Sequence, residues 1–376
     1  MKAPCVLTIA GSDSSGGAGI AGDLKTFAAL GVHGLCVVTA VTAQNTRGVD
    51  AIFELPPEFV TKQLDTVMRD FEVKWAKTGM LSSAGIIKAV EAGVKRYKLH
   101  LVVDPVMVAA TGAPLLREGA FEELKKLLAR AELATPNVPE TERLSGFKIR
   151  SKADMRRAAR VISKLGPRAV LVKGRHLKGR EIVDLLYVDG KFKEFKSTRV
   201  TGEPTHGTGC SFASAITAEL AKGATMDEAI GSAKEFIRSA IECRLDVGKG
   251  TKPVNPMDSL LLSAELGCAL DEVGRAAQLL AEDPSFARLL PEVGSNIVMA
   301  LPGAEEIRDV VGLSGRIVRV GSSTHLTGFP KLGGSQHVAN LVLTAMRHDP
   351  RIRAGLNIRF SEEILRACKQ LGLSMS

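Results

Sequence analysis

The chain has 376 residues, 45% of them hydrophobic, which suits two domains with packed cores and argues against global disorder. Its net charge of +9 comes with only 4% aromatics and dispersed basic residues, so the positive balance points to phosphorylated small molecules and away from nucleic acid. Six cysteines without a CxxC pair argue against a zinc site or disulfide framework and fit a reducing, cytoplasmic setting; no apolar stretch is long enough to span a membrane.

Cys5–Ala10 reads as a buried strand rather than a signal segment, because it runs straight into Gly11-Ser12-Asp13. A glycine loop over 11–19 follows, and then Ile20, Leu24, Phe27, Ala28 and Leu30 recur at helical spacing. The loop is a candidate phosphate cradle, although it is neither a P-loop nor a clean GxGxxG. Asp23 reads either as a site residue or as a solvated acid that suits the helix dipole. Leu35–Ala43 is apolar and β-rich and ends at Gln44, whose amide can both give and accept on a heterocycle edge or simply cap a turn. Pro56–Phe71 is an amphipathic helix, Lys74–Lys77 a short strand and Ala84–Val94 a helix; Met80, in the loop between the last two, is either core or ligand contact. His100–Val103 is a strand that ends at Asp104. This alternation predicts a parallel sheet covered on both faces, with ligands at the carboxyl ends of the strands.

Glu118–Arg130 is helical, Leu133–Thr135 is a strand, and Pro136–Glu140 opens a helix. Asn137 and Glu140, three apart, can hold Mg²⁺ through water or form a capping box. Strand Ala169–Val172 ends at Lys173, a point charge suited to phosphate. Ile182–Val188 and Phe192–Phe195 form a hairpin around Asp189-Gly190. The stretch Thr205-His206-Gly207-Thr208-Gly209-Cys210-Ser211 then leads into helix Ser211–Lys222. A glycine turn at a helix start leaves N–H groups unpaired and aligned with the dipole, which makes an anion site, and Gly207 and Gly209 allow close backbone approach. Cys210 sits at its mouth, where a thiolate is expected to be favoured. The alternative is a polar loop before a buried helix.

Helix Met226–Ile241 follows, and the glycine- and proline-rich stretch 248–256 breaks all periodicity, so the domains divide as 1–257 and 258–376. In the second, Leu260–Glu282 is helical and Gly315–Gly321 is a strand bracketed by glycines. Gly333–Ala339 is a glycine turn into a helix and a second candidate anion site. Arg316, Arg319 and His337 are candidates to meet a pyrophosphate or are ordinary surface residues.

Five motifs occur in order: Leu7–Ile20, Ala43–Gly48, Lys77–Leu81, Val103–Met107 and His206–Cys210. Together they resemble the hydroxymethylpyrimidine/phosphomethylpyrimidine kinases of thiamine biosynthesis, over roughly 3–257. The resemblance implies a ribokinase-like three-layer α/β/α sandwich with a mostly parallel sheet, followed by a smaller second α/β domain. It implies ATP and Mg²⁺ as the small-molecule requirements, two successive phosphorylations of an aminopyrimidine, and a homo-oligomer. Gln44 would bind the pyrimidine edge, with Gly11, Asp23, Met80 and Val106 around it. Lys173, Thr205, Asn137 and the hole at Gly207, Thr208 and Gly209 would hold ATP, Asp104 and Glu140 would hold the metal, and Cys210 would be the base. Lys173-Gly174-Arg175 departs from the family's usual Lys-Gly-Gly.

Residues 258–376 resemble an archaeal-type thiamine-phosphate synthase domain, through Gly315-Arg316-Ile317, Gly333–Ala339, Ala345–Pro350 and Asn357–Ser361. That implies coupling of the kinase product to a thiazole phosphate, with Arg316 and His337 taking part. The family's domain continues past the point where this sequence ends, so the second domain is expected to be short of a strand and part of its site. Two alternatives are a pyridoxal kinase of the same fold and a second domain that binds thiamine phosphate without catalysis.

Overall fold

The computed structural model describes residues 3–109, 111–175, 181–200, 205–321 and 323–373. They fall into two compact units, Met1–Ser259 and Leu260–Ser376. The first unit begins β1 (Cys5–Ala10), α1 (Gly19–Ala29), β2 (His33–Val38), β3 (Ala40–Gln44), β4 (Val49–Glu54), α2 (Pro57–Asp70), β5 (Val73–Thr78), α3 (Ala84–Tyr97) and β6 (His100–Val103). It goes on with α4 (Phe121–Leu128), β7 (Ala131–Ala134), α5 (Val138–Ser145), α6 (Lys152–Ser163) and β8 (Ala169–Val172). The last elements are β9 (Glu181–Val188), β10 (Lys191–Thr198), β11 (Thr205–His206), α7 (Thr208–Ala221), α8 (Met226–Glu242) and β12 (Lys252–Pro253).

Eight strands make one sheet in the order β10-β9-β8-β7-β6-β5-β1-β2. It is parallel from β8 to β2, and β9 and β10 add an antiparallel edge. A parallel sheet is covered on both faces, so its strands must be apolar on both sides. β6 shows this residue by residue. Leu101 and Val103 join a core with Ile87, Val90 and Leu127 on one face, and Val102 joins Phe212, Ile216 and Ile230 on the other. The period of two in a strand sends alternate side chains to opposite layers.

The apolar run at Leu35–Ala43 is not one strand. It breaks at Thr39, whose N–H donates to Ala10 O, and β3 turns away to pair with β4 in a separate antiparallel hairpin. No glycine or proline marks the break; beyond it β3 alternates buried Ala40 and Thr42 with exposed Val41 and Ala43, so one face of the ribbon packs and the other is open. Helix α6 was not legible as a separate element, yet Met155, Ala158, Ala159 and Ile162 bury one face and Ser151 caps it. Helix α7 starts at Thr208, three residues before the expected Ser211, because Gly207 takes the left-handed conformation and serves as the N-cap.

The second unit holds α9 (Asp258–Glu282), whose first two residues belong to the first unit. Then come β13 (Ile297–Ala300), β14 (Val310–Leu313), β15 (Arg316–Val320), β16 (Ser323–Thr327), β17 (Pro330–Leu332), α10 (Gln336–His348), β18 (Ala354–Leu356) and α11 (Glu362–Gln370). The antiparallel sheet β17-β14-β13-β18 separates two small cores, and β15 and β16 form a hairpin. One core joins Ala269, Val273 and Ala277 of α9 to Val311 and Leu313; the other joins Val338, Val342 and Met346 of α10 to Val298 and Val310. Among the described residues no helix is long and apolar enough to cross a membrane.

Candidate active site

The carboxyl ends of β1, β5, β6 and β8 open onto a cavity of about 750 Å³ in the first unit. Each strand delivers one wall residue just past its end: Gly11, Met80, Asp104 and Lys173. This is where an open α/β sheet binds ligands.

The start of α7 and Lys173 share part of the cavity wall. Gly207 has φ of +85°, and a Cβ there would stand 1.9 Å from Gly17 O, so only glycine fits. The first N–H groups of α7 have no partner inside the helix, and Gly207, Thr208, Gly209 and Cys210 all line the cavity. A Cβ on Gly209 would stand 3.5 Å from Lys173 Nζ and 3.8 Å from Asp104 Oδ2. The glycine therefore leaves open the space between the helix start and the cation. Lys173 Nζ donates to Asp104 Oδ1 at 2.7 Å, and Thr135 Oγ1 donates to the same oxygen at 3.1 Å. Burial works against the Lys173 charge, but Asp104 and Glu140 outweigh it and raise the ammonium above its usual range.

Asn137 and Glu140 also line the cavity, and they form the capping box of α5. Asn137 Oδ1 accepts from Glu140 N at 2.9 Å, and Glu140 Oε2 accepts from Asn137 N at 2.8 Å. Burial first, and then the Asp104 charge, push the Glu140 carboxyl up to about 8 against the pull of Lys173. Among the described residues no group of three or more His, Cys, Asp or Glu side chains could hold a metal alone. Two carboxylates on the cavity wall suit Mg²⁺, which keeps several waters and takes phosphate oxygens as its other ligands. The donor set fits.

Gly11, Gln44, Met80 and Val106 also line the cavity. A Cβ on Gly11 would meet Met80 Sδ at 3.0 Å, so the glycine keeps the thioether seated. Gln44 Oε1 accepts from Thr42 Oγ1 at 3.4 Å, and Gln44 Nε2 lies 3.4 Å from His206 Nε2. His206 Nε2 is 2.7 Å from Asp13 Oδ2, and Asp13 also accepts from Ser15 and from the Ala18 N–H. Burial pushes the Asp13 carboxyl up, but His206 and Ser15 outweigh it and hold it at about 2. Sequence reasoning gave Asp13 and His206 no role. Both lie inside quoted motifs, and the only available signal was the pairing potential of an acid and an imidazole that end up 193 positions apart.

Two expectations need correction. Asp23 does not line the cavity. It is completely buried, and its carboxylate accepts from Lys77 Nζ at 2.9 and 3.0 Å, from Thr8 Oγ1 at 2.6 Å and from Ser214 Oγ at 2.6 Å. Cys210 does face the cavity, but its thiolate is not favoured at rest. Burial pushes the thiol up to about 11; Lys77 and the Gly19 N–H pull it down, and Asp23 and Asp104 push it further up. A helix start and one lysine do not offset that loss of hydration.

In the second unit Arg316 and His337 are both exposed, and among the described residues they share no hydrogen-bond partner. Arg316 Nη1 turns back to Val293 O, and Arg319 Nε donates to Gly321 O. The glycine turn before α10 has a packing reason: a Cβ on Gly334 would stand 2.3 Å from Gly312 O. The buried polar cluster here is Asn296, whose amide bridges Leu313 and Gly315 backbone and whose N–H donates to Asn357. Residues 374–376, at the expected shortened end, lie outside the described residues.

Residues 13–255 match the family model described as phosphomethylpyrimidine kinase, which is more than half of the chain. The chain belongs to this family. Residues 272–376 match the model described as thiamine-phosphate synthase ThiN. The chain is 51% identical over 252 residues to the thiamine biosynthesis bifunctional protein ThiED of Geobacter sulfurreducens, covering 66% of this chain and 51% of that protein. It is 46% identical over 253 residues to the hydroxymethylpyrimidine/phosphomethylpyrimidine kinase of Rhizobium meliloti, covering 66% of this chain and 95% of the other. The chain thus spans about half the length of the bifunctional relative and nearly all of the shorter kinase. Among solved structures, the phosphomethylpyrimidine kinase of Clostridium difficile has TM-score 0.57 at 44% identity, over 63% of this chain and 99% of that one. The pyridoxal kinase of Bacillus subtilis, solved with ADP, has TM-score 0.65 at 37% identity, over 69% of this chain and 100% of the other. The first unit has the ribokinase-like fold of these kinases, and a smaller second domain follows it in the chain.

Proposed function

We propose that the first unit phosphorylates 4-amino-5-hydroxymethyl-2-methylpyrimidine and then its monophosphate, with ATP as donor and Mg²⁺ as metal. One observation carries this reading: a single cavity joins an amide-bearing, Met-lined side at Gln44 to an anion site at Lys173 and the start of α7, with Cys210 in its wall. On this reading the Gln44 amide pairs with the aminopyrimidine edge, while Met80, Val106 and Gly11 cover the ring. The start of α7 and Lys173 take up the charge on the transferring phosphoryl group, where fixed donors in a water-poor site are worth most. Thr205, Thr208 and Asn137 supply hydrogen bonds to the donor, and the apolar end at Ile182, Val200 and Ile237 suits its base. Asp104 and Glu140 would hold Mg²⁺, which when bound neutralises phosphate charge.

Cys210 is the base in this reading. In a loose transition state the alcohol proton leaves late, so a thiol of high pKa serves once ionised. The second unit would couple the pyrophosphate ester to a thiazole phosphate, with Arg316 and His337 taking part; thiamine phosphate formation tests that, and binding of thiamine phosphate without synthesis would favour a binding module instead. The six free cysteines support a cytoplasmic protein. The exposed apolar residues Val41, Ile52 and Phe53 on the β3–β4 hairpin support a homo-oligomer.

A pyridoxal kinase is the second reading, favoured by the higher TM-scores of the pyridoxal kinase structures. The identities of 46–51% to thiamine-pathway proteins weigh more. Competing the two acceptors in one reaction with ATP and Mg²⁺ decides between them. A higher kcat/KM for the hydroxymethylpyrimidine is expected, and a preference for pyridoxal would overturn the assignment.

A further inference from the structure

The turn after β8 carries a cation, Arg175, on the cavity wall. Gly174 lets the chain pass close to the neighbouring strand, since a Cβ there would stand 2.0 Å from Val183 O. Its N–H donates to Asp184 Oδ1 at 2.8 Å, and Asp184 in turn pairs with Lys234. The carbonyl of the next residue, Arg175, accepts from Arg199 Nη1 at 2.9 Å. The backbone at Arg175 is therefore pinned on both sides. Its guanidinium reaches across to the start of α7, donating to Thr208 Oγ1 and Thr205 Oγ1 at 3.2 Å each, and it lines the cavity.

The partners are what make this arginine unusual. Lys173 is balanced by Asp104, but among the described residues Arg175 pairs with no carboxylate, only with hydroxyls. Hydroxyls orient a guanidinium without neutralising it. Burial and the nearby Arg199 charge both disfavour its ionised form, which is the signature of a positive site waiting for negative charge. The two threonines that hold it flank Gly207, the N-cap of the anion-binding helix.

We propose that Arg175 is a phosphate-donor clamp, with Thr205 and Thr208 presenting its planar fork to the donor's phosphates beside the start of α7. The inference rests on the kinase reading above and adds a residue to it. A guanidinium meets phosphate oxygens in a two-point geometry that an ammonium cannot match. Arg175 therefore sets the affinity for the donor, while Lys173 and the helix start act on the group in transfer.

The test compares wild type, Arg175→Ala and Arg175→Lys. Equilibrium binding is measured for ATP, ADP, AMP and adenosine, and steady-state KM for ATP, for the hydroxymethylpyrimidine and for its monophosphate. Arg175→Ala is expected to weaken ATP about ten- to hundredfold, the worth of a charge-assisted hydrogen bond. Adenosine affinity and the pyrimidine KM should stay within about twofold, and Arg175→Lys should recover only part of the loss. A merely structural role would weaken adenosine as much as ATP, and that result overturns the clamp. A rise in KM for the monophosphate with ATP unchanged also overturns it, by assigning the arginine to the acceptor. Wild type that turns over pyrimidine while Arg175→Ala binds ATP normally removes the clamp and leaves the kinase standing. Wild type that neither binds ATP nor turns over pyrimidine removes both.

Discussion

Two buried lysine–aspartate pairs act on Cys210, and they differ in what they face. Lys77 and Asp23 are fully enclosed, and Thr8 and Ser214 complete the carboxylate's shell. Lys173 and Asp104 are nearly as buried, with side-chain exposures of 11% and 3%, but both line the cavity. The chemistry is the same; the access is not. A closed, fully bonded pair has nothing left to offer a ligand, and it fixes α1, β5 and α7 against one another. An open pair keeps a cation within reach of whatever enters. Burial and pairing alone therefore do not mark a working residue; the cavity does.

The largest effect is expected at the closed pair. Lys77→Met leaves the Asp23 charge buried and unpaired, and it is expected to cost about 3–5 kcal/mol in denaturant unfolding. A variant as stable as wild type would mean that Lys77 is not the partner holding Asp23. The open pair should respond the other way round. Lys173→Met should lower kcat/KM for phosphorylation by about 10²–10³, the usual loss for one transition-state donor, with a much smaller shift in the unfolding midpoint. A collapse of stability with turnover intact in the folded fraction would erase the distinction.

Cys210 sharpens it. Burial holds the thiol near 11, and a base is active only when deprotonated. If it accepts the proton, kcat/KM should climb roughly tenfold per pH unit between about pH 7 and about pH 10, and the climb should vanish in Cys210→Ala. A flat wild-type profile takes the cysteine out of proton transfer. The smallest effect lies at Asp13. Its folded pKa of about 2 is below the ordinary value of 3.8, so its contribution is present above about pH 4 and is lost as pH falls towards 2. Acid unfolding of wild type against Asp13→Asn should show that window, worth on the order of 1–2 kcal/mol.

The layers of the first unit were legible because most of the parallel strands are short apolar runs that end at a polar or glycine residue, as at Ala10-Gly11, Val103-Asp104 and Val172-Lys173. The helix start at Gly207 was legible for a related reason: its left-handed backbone and the 1.9 Å approach to Gly17 O admit only glycine, and a demand of space leaves glycine in the sequence. Asp23 misled because nothing local separates an acid in a helix's second turn that faces a cavity from one that faces Lys77, 54 positions away. Thr39 hid the break between β2 and β3 because a chain can leave a sheet without a turn residue. The Cys210 ionisation was misjudged for want of its burial, which only packing supplies.

In the proposed reaction one cavity transfers phosphate from ATP to a pyrimidine alcohol through the open pair. The most direct measurement incubates the full chain, and separately Lys173→Met, with ATP, Mg²⁺ and hydroxymethylpyrimidine, and follows the pyrimidine by mass. Wild type is expected to give the monophosphate and then the pyrophosphate ester, with both slowed in the variant. ATP consumed without any phosphorylated pyrimidine, or a variant as fast as wild type, would contradict that reaction.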